Sequence, residues 1–190
     1  MPTRDRIALG ILAGGQARRL GGADKAMAQL LGQPLLLRTL AALSEGHSQV
    51  LVSYNGDNSA VLDGAATVVR DSRTGFPGPL AGIEALLAAT TSDWLLTVPV
   101  DLLDIPHDLV DRLCAAIEND DPDIGAALRD ADGSQPLVAL WPVRNARFAV
   151  ASALDAGFGA VHGVQEQMDF RQADISPRRI GNLNTPADFE

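Results

Sequence analysis

The stretch that most constrains this chain lies just past its first apolar run, residues 7–12. It passes from Leu12, Ala13, Gly14 and Gly15 through Arg18 and Arg19 and the pair Gly21 and Gly22 to Asp24 and Lys25. An apolar run of this length reads as a buried strand. A strand that opens into glycines and cations is built to hold an anion against exposed backbone N–H groups. Gly14 and Gly15 carry no Cβ, so the chain turns freely there and a phosphate comes close to the backbone. A second turn at Gly21 and Gly22 brings Arg19 and Lys25 toward the same anion. Arg19 offers a planar fork of donors and Lys25 a compact point charge, a pair suited to a polyphosphate. Arg18 is read as facing solvent. The stretch is therefore read as a nucleoside triphosphate site.

Spacing excludes two better-known phosphate loops. The P-loop requires a lysine directly after a glycine, and here Lys25 follows Asp24. The dinucleotide fingerprint requires G-x-G-x-x-G, whereas these glycines form adjacent pairs.

The pattern L-A-G-G-x-x-x-R-x-G-G-x-D-K over residues 12–25, followed by Gly32-Gln33-Pro34-Leu35, resembles the signature of the molybdenum cofactor guanylyltransferases. Related nucleotidyltransferases more often carry alanine where Gly14 stands, which leans the resemblance toward the guanylyl branch. The blocks at residues 76–82 and 182–186 resemble further family motifs, so the likeness spans almost the whole chain. It implies an α/β fold: a single-domain, three-layer, Rossmann-like nucleotidyltransferase, with a mostly parallel twisted sheet, helices on both faces and a small antiparallel extension. One domain is expected over residues 1–190, with the N-terminal part binding GTP and about 120–190 forming the acceptor side.

Composition agrees with one enzyme domain. At 190 residues and 46% hydrophobic content the chain buries a substantial core without staples. A formal net charge of −9 argues against general nucleic-acid binding, which relies on excess Lys and Arg. Anionic substrates remain compatible where positive charge is concentrated locally and a divalent cation supplies the rest. No apolar run approaches a membrane span and residues 1–6 lack a signal peptide's apolar core, so no membrane association and a cytoplasmic location are expected. The single cysteine, Cys114, sits beside the stripe Leu109, Leu113, Ile117 and reads as a core thiol. His47, His107 and His162 show no metal-ligand spacing and read as surface or capping residues.

Taken in order, residues 35–43 read as a helix after Pro34, and residues 50–52 as a short strand leading into the turn-like Ser53-Tyr54-Asn55-Gly56-Asp57. Such a strand–helix–strand unit favours parallel strands with ligands at their carboxyl ends. Strand 67–70 delivers Asp71, which could contact a ribose or base, hold a metal-bound water, or merely cap a turn. Strand 94–100 delivers Asp101. Asp104 is read as the cap of a helix starting at Ile105-Pro106. Strands 124–128 and 136–141 flank a polar turn and predict a hairpin, followed by a helix from 143 to 154.

The resemblance assigns these positions their roles. Asp101 matches the family's magnesium ligand, a residue type that suits a hard ion bound by one or two carboxylates and phosphate oxygens. Leu12, Ala13, Gly14, Gly15, Lys25, Ser53, Asp71 and Asp101 form the expected nucleotide site, with Arg19, Lys25 and Asp101 catalytic. Ser53 stands where the family commonly has asparagine, so base recognition is weaker there or passes to Asn55. Val100, Leu102 and Leu103 replace the cysteine and threonine-proline that usually surround the aspartate.

On the acceptor side are Gln135, where the family often has histidine, and Asn182 and Asn184, which shape the rim or hold the turn. Residues 157–164 lack the basic residues expected near the acceptor, for which Arg171, Arg178 and Arg179 are the available substitutes. The implied reaction transfers GMP from GTP to molybdopterin with release of pyrophosphate, using Mg²⁺. The implied partners are GTP, molybdopterin and, transiently, other cofactor-biosynthesis proteins. The alternatives are a related transferase using CTP or another phosphorylated acceptor, and a non-catalytic nucleotide-binding module.

Overall fold

The computed structural model describes residues 2–14, 24–57, 62, 64–73, 78–117, 121–183 and 188. In chain order these form β1 (Ile7–Leu12), β2 (Gln29–Leu30), β3 (Gln33–Pro34), α1 (Leu35–Leu43), β4 (Gln49–Ser53), β5 (Thr67–Val69), α2 (Pro79–Ala89), β6 (Trp94–Pro99), α3 (Leu109–Ala116), β7 (Ala126–Asp130), β8 (Gly133–Pro142), α4 (Val143–Asp155), α5 (Val161–Gln167) and β9 (Arg171–Asp174). β2 and β3 make a small hairpin, and the other seven strands form one sheet in the order β5-β4-β1-β6-β8-β7-β9.

Alternation along the strands decides what each face buries. Ile7, Leu9 and Ile11 of β1 join a core packed by α1 and α3, while Ala8 and Leu12 join a second core packed by α2, α4 and α5. Side chains of a strand point alternately to opposite faces, so a central strand covered on both sides reads as a continuous apolar run. All six residues of β1 and all six of β6 are buried. Gly10 is needed at the middle of β1, because a Cβ there would stand 2.9 Å from Leu95 Cδ1 and 3.0 Å from Leu86 Cδ1. The expected three-layer α/β architecture with one sheet is observed.

Strand direction then fixes where a ligand goes. β1, β4, β5 and β6 are mutually parallel, and β8 joins β6 antiparallel. From β1 the chain builds outward to β4 and β5 on one side, then crosses back to place β6 on the other. The order therefore reverses at β1, and in open α/β sheets such a switch point opens a crevice beyond the carboxyl ends of the strands. The glycine-rich stretch begins at that point.

The expected hairpin is β7–β8, paired from Asp130↔Gly133 to Ala126↔Leu140 with a register shift between Ala127 and Leu128. Among the elements that carry no sequence expectation are the β2–β3 hairpin, α5, and β9, which pairs parallel to β7 at the sheet edge. One expectation is corrected. Asp104 caps no helix; α3 begins four residues beyond the expected start, at Leu109 with Asp108 before it. The Asp104 N–H instead donates to Ile180 O at 2.9 Å and its carboxylate accepts from Arg178 at 2.8 Å. A tertiary strand-like contact there displaces the local capping preference.

Cys114 is buried as expected, with Sγ donating to Pro2 O at 3.5 Å. Burial pushes its thiol up to about 11, which keeps it protonated and inert. His47 is half-buried with Nδ1 3.1 Å from Ile7 O, and desolvation lowers its pKa below the usual 6.5.

Candidate nucleotide site

Three strand ends are tied together at the switch point. The Ala13 N–H donates to Ser53 O at 2.9 Å, joining β1 to β4, and the Val100 N–H donates to Leu12 O at 3.3 Å, joining β1 to β6. Leu12 and Ala13, both buried, thus form the floor of the crevice. Gly14 follows with its Cα facing the end of β4: a Cβ added there would lie 3.5 Å from Asn55 Nδ2 and 3.8 Å from Ser53 Oγ.

Lys25 reaches this floor from the far end of the stretch. Its Nζ lies 2.5 Å from Asp101 Oδ2, an ion pair between side chains only 18% and 17% exposed, across 76 residues of sequence. A pair this sheltered from solvent is screened little. Asp24 holds the turn that aims Lys25: its Oδ1 accepts from the Ala26 N–H at 3.1 Å, and its Oδ2 accepts from the buried Tyr54 hydroxyl. The single turn Lys25–Met27 is therefore pinned to the end of β4.

Asp101 is held from behind as well. Arg38 donates from Nη1 to Leu102 O at 2.7 Å and from Nη2 to Leu103 O, clamping the backbone just past the aspartate. The Leu183 N–H donates to Asp101 O at 2.8 Å, and Asn182 forms a bridge to Leu102. These contacts fix Asp101 while leaving its Oδ1 buried and without a hydrogen-bond partner among the described residues. A buried carboxylate oxygen left unmet is costly unless a cation or donor completes it. No group of three or more His, Cys, Asp or Glu that could hold a metal occurs among the described residues. A metal here would take one protein carboxylate, which fits Mg²⁺, an ion that fills its shell with water and phosphate oxygens.

Asp71 stands across the crevice beyond β5. Its Oδ1 accepts from Ser53 Oγ at 3.3 Å and its Oδ2 from Asn55 Nδ2 at 2.9 Å, so the structure gathers Ser53, Asn55, Asp71 and Gly14 at one place. The loop after Asp71 is braced by Arg73, which donates to Glu84 of α2 at 2.7 Å and to Asp155 of α4 at 2.6 Å. Gly82 of α2 is required beneath this group, because a Cβ would press to 2.7 Å from Ser53 Oγ.

On the acceptor side, Asn182 sits beside the Asp101 loop, as the bridge to Leu102 shows. Gln135 is engaged within its own hairpin: its Nε2 donates to Asp130 Oδ1 at 3.2 Å. Of the substitute cations, Arg178 pairs with Asp104 and Arg179 with Asp132. Gly15, Arg18, Arg19, Gly21, Gly22, Asn184, Thr185 and Pro186, together with 74–77, lie outside the described residues.

Four residues with work to do here received no role from the sequence: Asp24, which stands within the signature, and Tyr54, Arg38 and Asp130. Arg38 did leave a signal, as the only charge in the apolar helix Leu35–Leu43. A cavity of about 800 Å³ lies at the opposite edge of the sheet, lined among others by Arg6, Trp94, Val143 and Arg147. It contains none of the residues above, and Arg147 there caps the end of α2 by donating to Leu87 O and Thr90 O at 2.7 and 2.6 Å.

Residues 9–169 match the model of the MobA-like NTP transferase domain. A protein from Shewanella putrefaciens named molybdenum cofactor guanylyltransferase is 40% identical over 177 residues, covering 92% of this chain and 90% of its own. One of the same name from Cupriavidus metallidurans is 38% identical, covering 86% and 78%. Among solved structures, molybdopterin-guanine dinucleotide biosynthesis protein A from Archaeoglobus fulgidus superposes with a TM-score of 0.76 at 21% identity, covering 96% of this chain and 94% of its own. A nucleotidyl transferase from Methanothermobacter thermautotroptrophicus gives 0.75 at 20% identity, covering 96% and 94%. With the Lys25–Asp101 crevice at the switch point of the same fold, the chain belongs to the MobA-like NTP transferase family, alongside proteins named molybdenum cofactor guanylyltransferase.

Proposed function

We propose that this protein transfers GMP from GTP to molybdopterin and releases pyrophosphate. The observation that carries the reading is the sheltered pairing of Lys25 with Asp101 beside an unmet Asp101 oxygen at the carboxyl edge of β1 and β6. Chemistry of this kind needs no nucleophile from the protein, because an acceptor phosphate attacks the α-phosphorus in line. The chain supplies alignment and charge. Lys25 neutralises phosphate oxygens drawn to the loop, and the Leu12–Ala13 floor receives the nucleotide. Asp71, steadied by Ser53 and Asn55, orients the nucleoside. Arg38 and the 180–183 segment keep Asp101 from moving as charge redistributes.

Asp101 would hold Mg²⁺ through its carboxylate. When bound, the ion would offset negative charge on the phosphates. GTP and molybdopterin are the expected substrates, the cytoplasm the expected setting, and transient contact with other cofactor-biosynthesis proteins the expected way of passing the product on. Among the described residues no helix is long and apolar enough to cross a membrane.

The reading is tested by following pyrophosphate release with molybdopterin and magnesium while GTP, CTP and ATP are offered in turn. GTP should exceed the others by about ten-thousandfold in kcat/KM, the discrimination expected of a site that hydrogen-bonds its substrate's polar groups. Preference for CTP overturns the guanylyl assignment, and tight GTP binding without pyrophosphate release replaces catalysis with a carrier role.

A further inference from the structure

Asp71 is gripped in an unusual way by one neighbour. Asn55 Nδ2 donates to the Asp71 Oδ2 at 2.9 Å, and the Asp71 backbone N–H donates back to Asn55 Oδ1 at 3.1 Å. Both ends of one amide are thus spent on one residue, 16 positions away. A carboxylate held by one hydrogen bond swivels, whereas here the same amide also holds the Asp71 backbone and so ties the side chain to its strand end. Ser53 Oγ adds a third contact, to Oδ1 at 3.3 Å. Asn55 is itself anchored, since Arg70 Nη1 donates to its carbonyl at 3.3 Å.

Each carboxylate oxygen offers about two acceptor sites, so the contacts to Ser53 and Asn55 leave one on each oxygen. Two acceptors side by side complement a ligand edge with two adjacent donors. Guanine has such an edge, with N1–H next to the N2 amino group. Adenine and cytosine present a ring-nitrogen lone pair there, which a carboxylate repels. Gly14 lies against the same group, where a Cβ would stand at ordinary contact distance, 3.5 Å from Asn55 Nδ2 and 3.8 Å from Ser53 Oγ. From below, Gly82 packs close to Ser53: a Cβ there would stand 2.7 Å from its hydroxyl, so glycine leaves undisturbed the hydroxyl that meets Asp71.

We propose that Asn55 is a positioning residue for nucleobase selection, locking the Asp71 carboxylate so that its two remaining acceptor sites read the paired donors of guanine; this rests on the guanylyl reading above. Asn55 acts through Asp71. Its removal therefore changes which nucleotide binds more than how fast the bound one reacts.

The test compares GTP with ITP, which lacks only the N2 amino group, in the full chain and in the variants Asn55→Ala and Asn55→Asp. Binding is read by calorimetry and turnover by pyrophosphate release, with a thermal melt to verify folding. Wild type should favour GTP over ITP. Asn55→Ala should raise the KM for GTP about tenfold to a hundredfold, the usual effect of losing a hydrogen bond to a charged group. It should lower kcat by less than about threefold and bring the GTP:ITP preference close to one. Asn55→Asp keeps an acceptor for the Asp71 N–H but sets a like charge beside the carboxylate, so its loss of GTP preference should be larger still. If both variants fold and keep the wild-type GTP:ITP ratio, the inference is overturned and guanylyl transfer stands. If wild type releases no pyrophosphate from GTP, the guanylyl reading falls and takes the inference with it.

Discussion

The two halves of this molecule use polar residues in opposite ways. Around β1, β4, β5 and β6, they meet at an opening: Lys25 and Asp101 pair sheltered from solvent, and among the described residues Asp101 Oδ1 has no hydrogen-bond partner and the Asp71 carboxylate meets only Ser53 and Asn55. Around β7, β8 and β9 they satisfy one another. Asp130 accepts from the Ile180 N–H at 3.0 Å, from the Asp132 N–H at 2.9 Å and from Gln135 at 3.2 Å, while Arg178 and Arg179 are each taken by an aspartate. The first half is arranged for a ligand and the second for rigidity. The two meet in one segment: residues 180–183 are tied at Ile180 to Asp130 and at Leu183 to Asp101. The β7–β9 half therefore braces the other half by holding the Asp101 backbone in place.

The sharpest way to break this comparison is Asp101→Ala. Turnover should fall by at least about a thousandfold, as when a preorganised charge at the reacting centre is removed, while the thermal melt stays close to wild type. Steady-state kinetics and a melt on the same sample decide it. Retained turnover would leave the crevice without a function.

Asp130→Ala should do the reverse, costing stability first. The Ile180, Asp132 and Gly133 backbone N–H groups and the Gln135 amide lose their acceptor, and about 2–3 kcal/mol should disappear from the urea denaturation free energy. Turnover should drop by a smaller factor, through loosening of 180–183. The pH dependence has a definite sign. Burial alone pushes the Asp130 carboxyl up, but the donors Ile180, Gln135, Asp132 and Gly133 together hold it below its ordinary 3.8. A depressed carboxylate stabilises the fold fully above the unfolded value and loses that contribution as pH falls through the folded one. The gap between wild type and Asp130→Ala should accordingly narrow on acidification below 3.8.

Arg178→Ala sharpens the comparison with the smallest effect. Its pair with Asp104 joins side chains 38% and 50% exposed, so stability should change by about 1 kcal/mol or less. If Arg178 is only a brace, the KM for the acceptor should move by less than about twofold. A tenfold rise would place an acceptor-binding cation in the half described here as structural.

Much of the nucleotide half was legible from residue order. The apolar run 7–12, the glycines after it, Lys25, and aspartates standing just past strands 67–70 and 94–100 gave the parallel sheet and the carboxyl edge at which these side chains gather. The hairpin of β7 and β8 was equally readable from its polar turn. The start of α3 was not: Asp104 before Ile105-Pro106 has the local pattern of a cap, and Ile180 and Arg178, more than seventy residues on, claim it instead. Nor was the contact of Gln135 with Asp130 readable, since it forms across the turn of the hairpin.

By itself the sequence determined the parallel strands, the β7–β8 hairpin, and which charged groups arrive at strand ends. Those follow from periodicity and backbone preference, both set within a few residues. Only the tertiary structure decided that Lys25 touches Asp101, that Tyr54 steadies Asp24, that Asn55 and Asp71 lock together, and that Ile180 answers to Asp130. Those contacts depend on strand order and on close packing of both sheet faces, and nothing in a local run of residues specifies either.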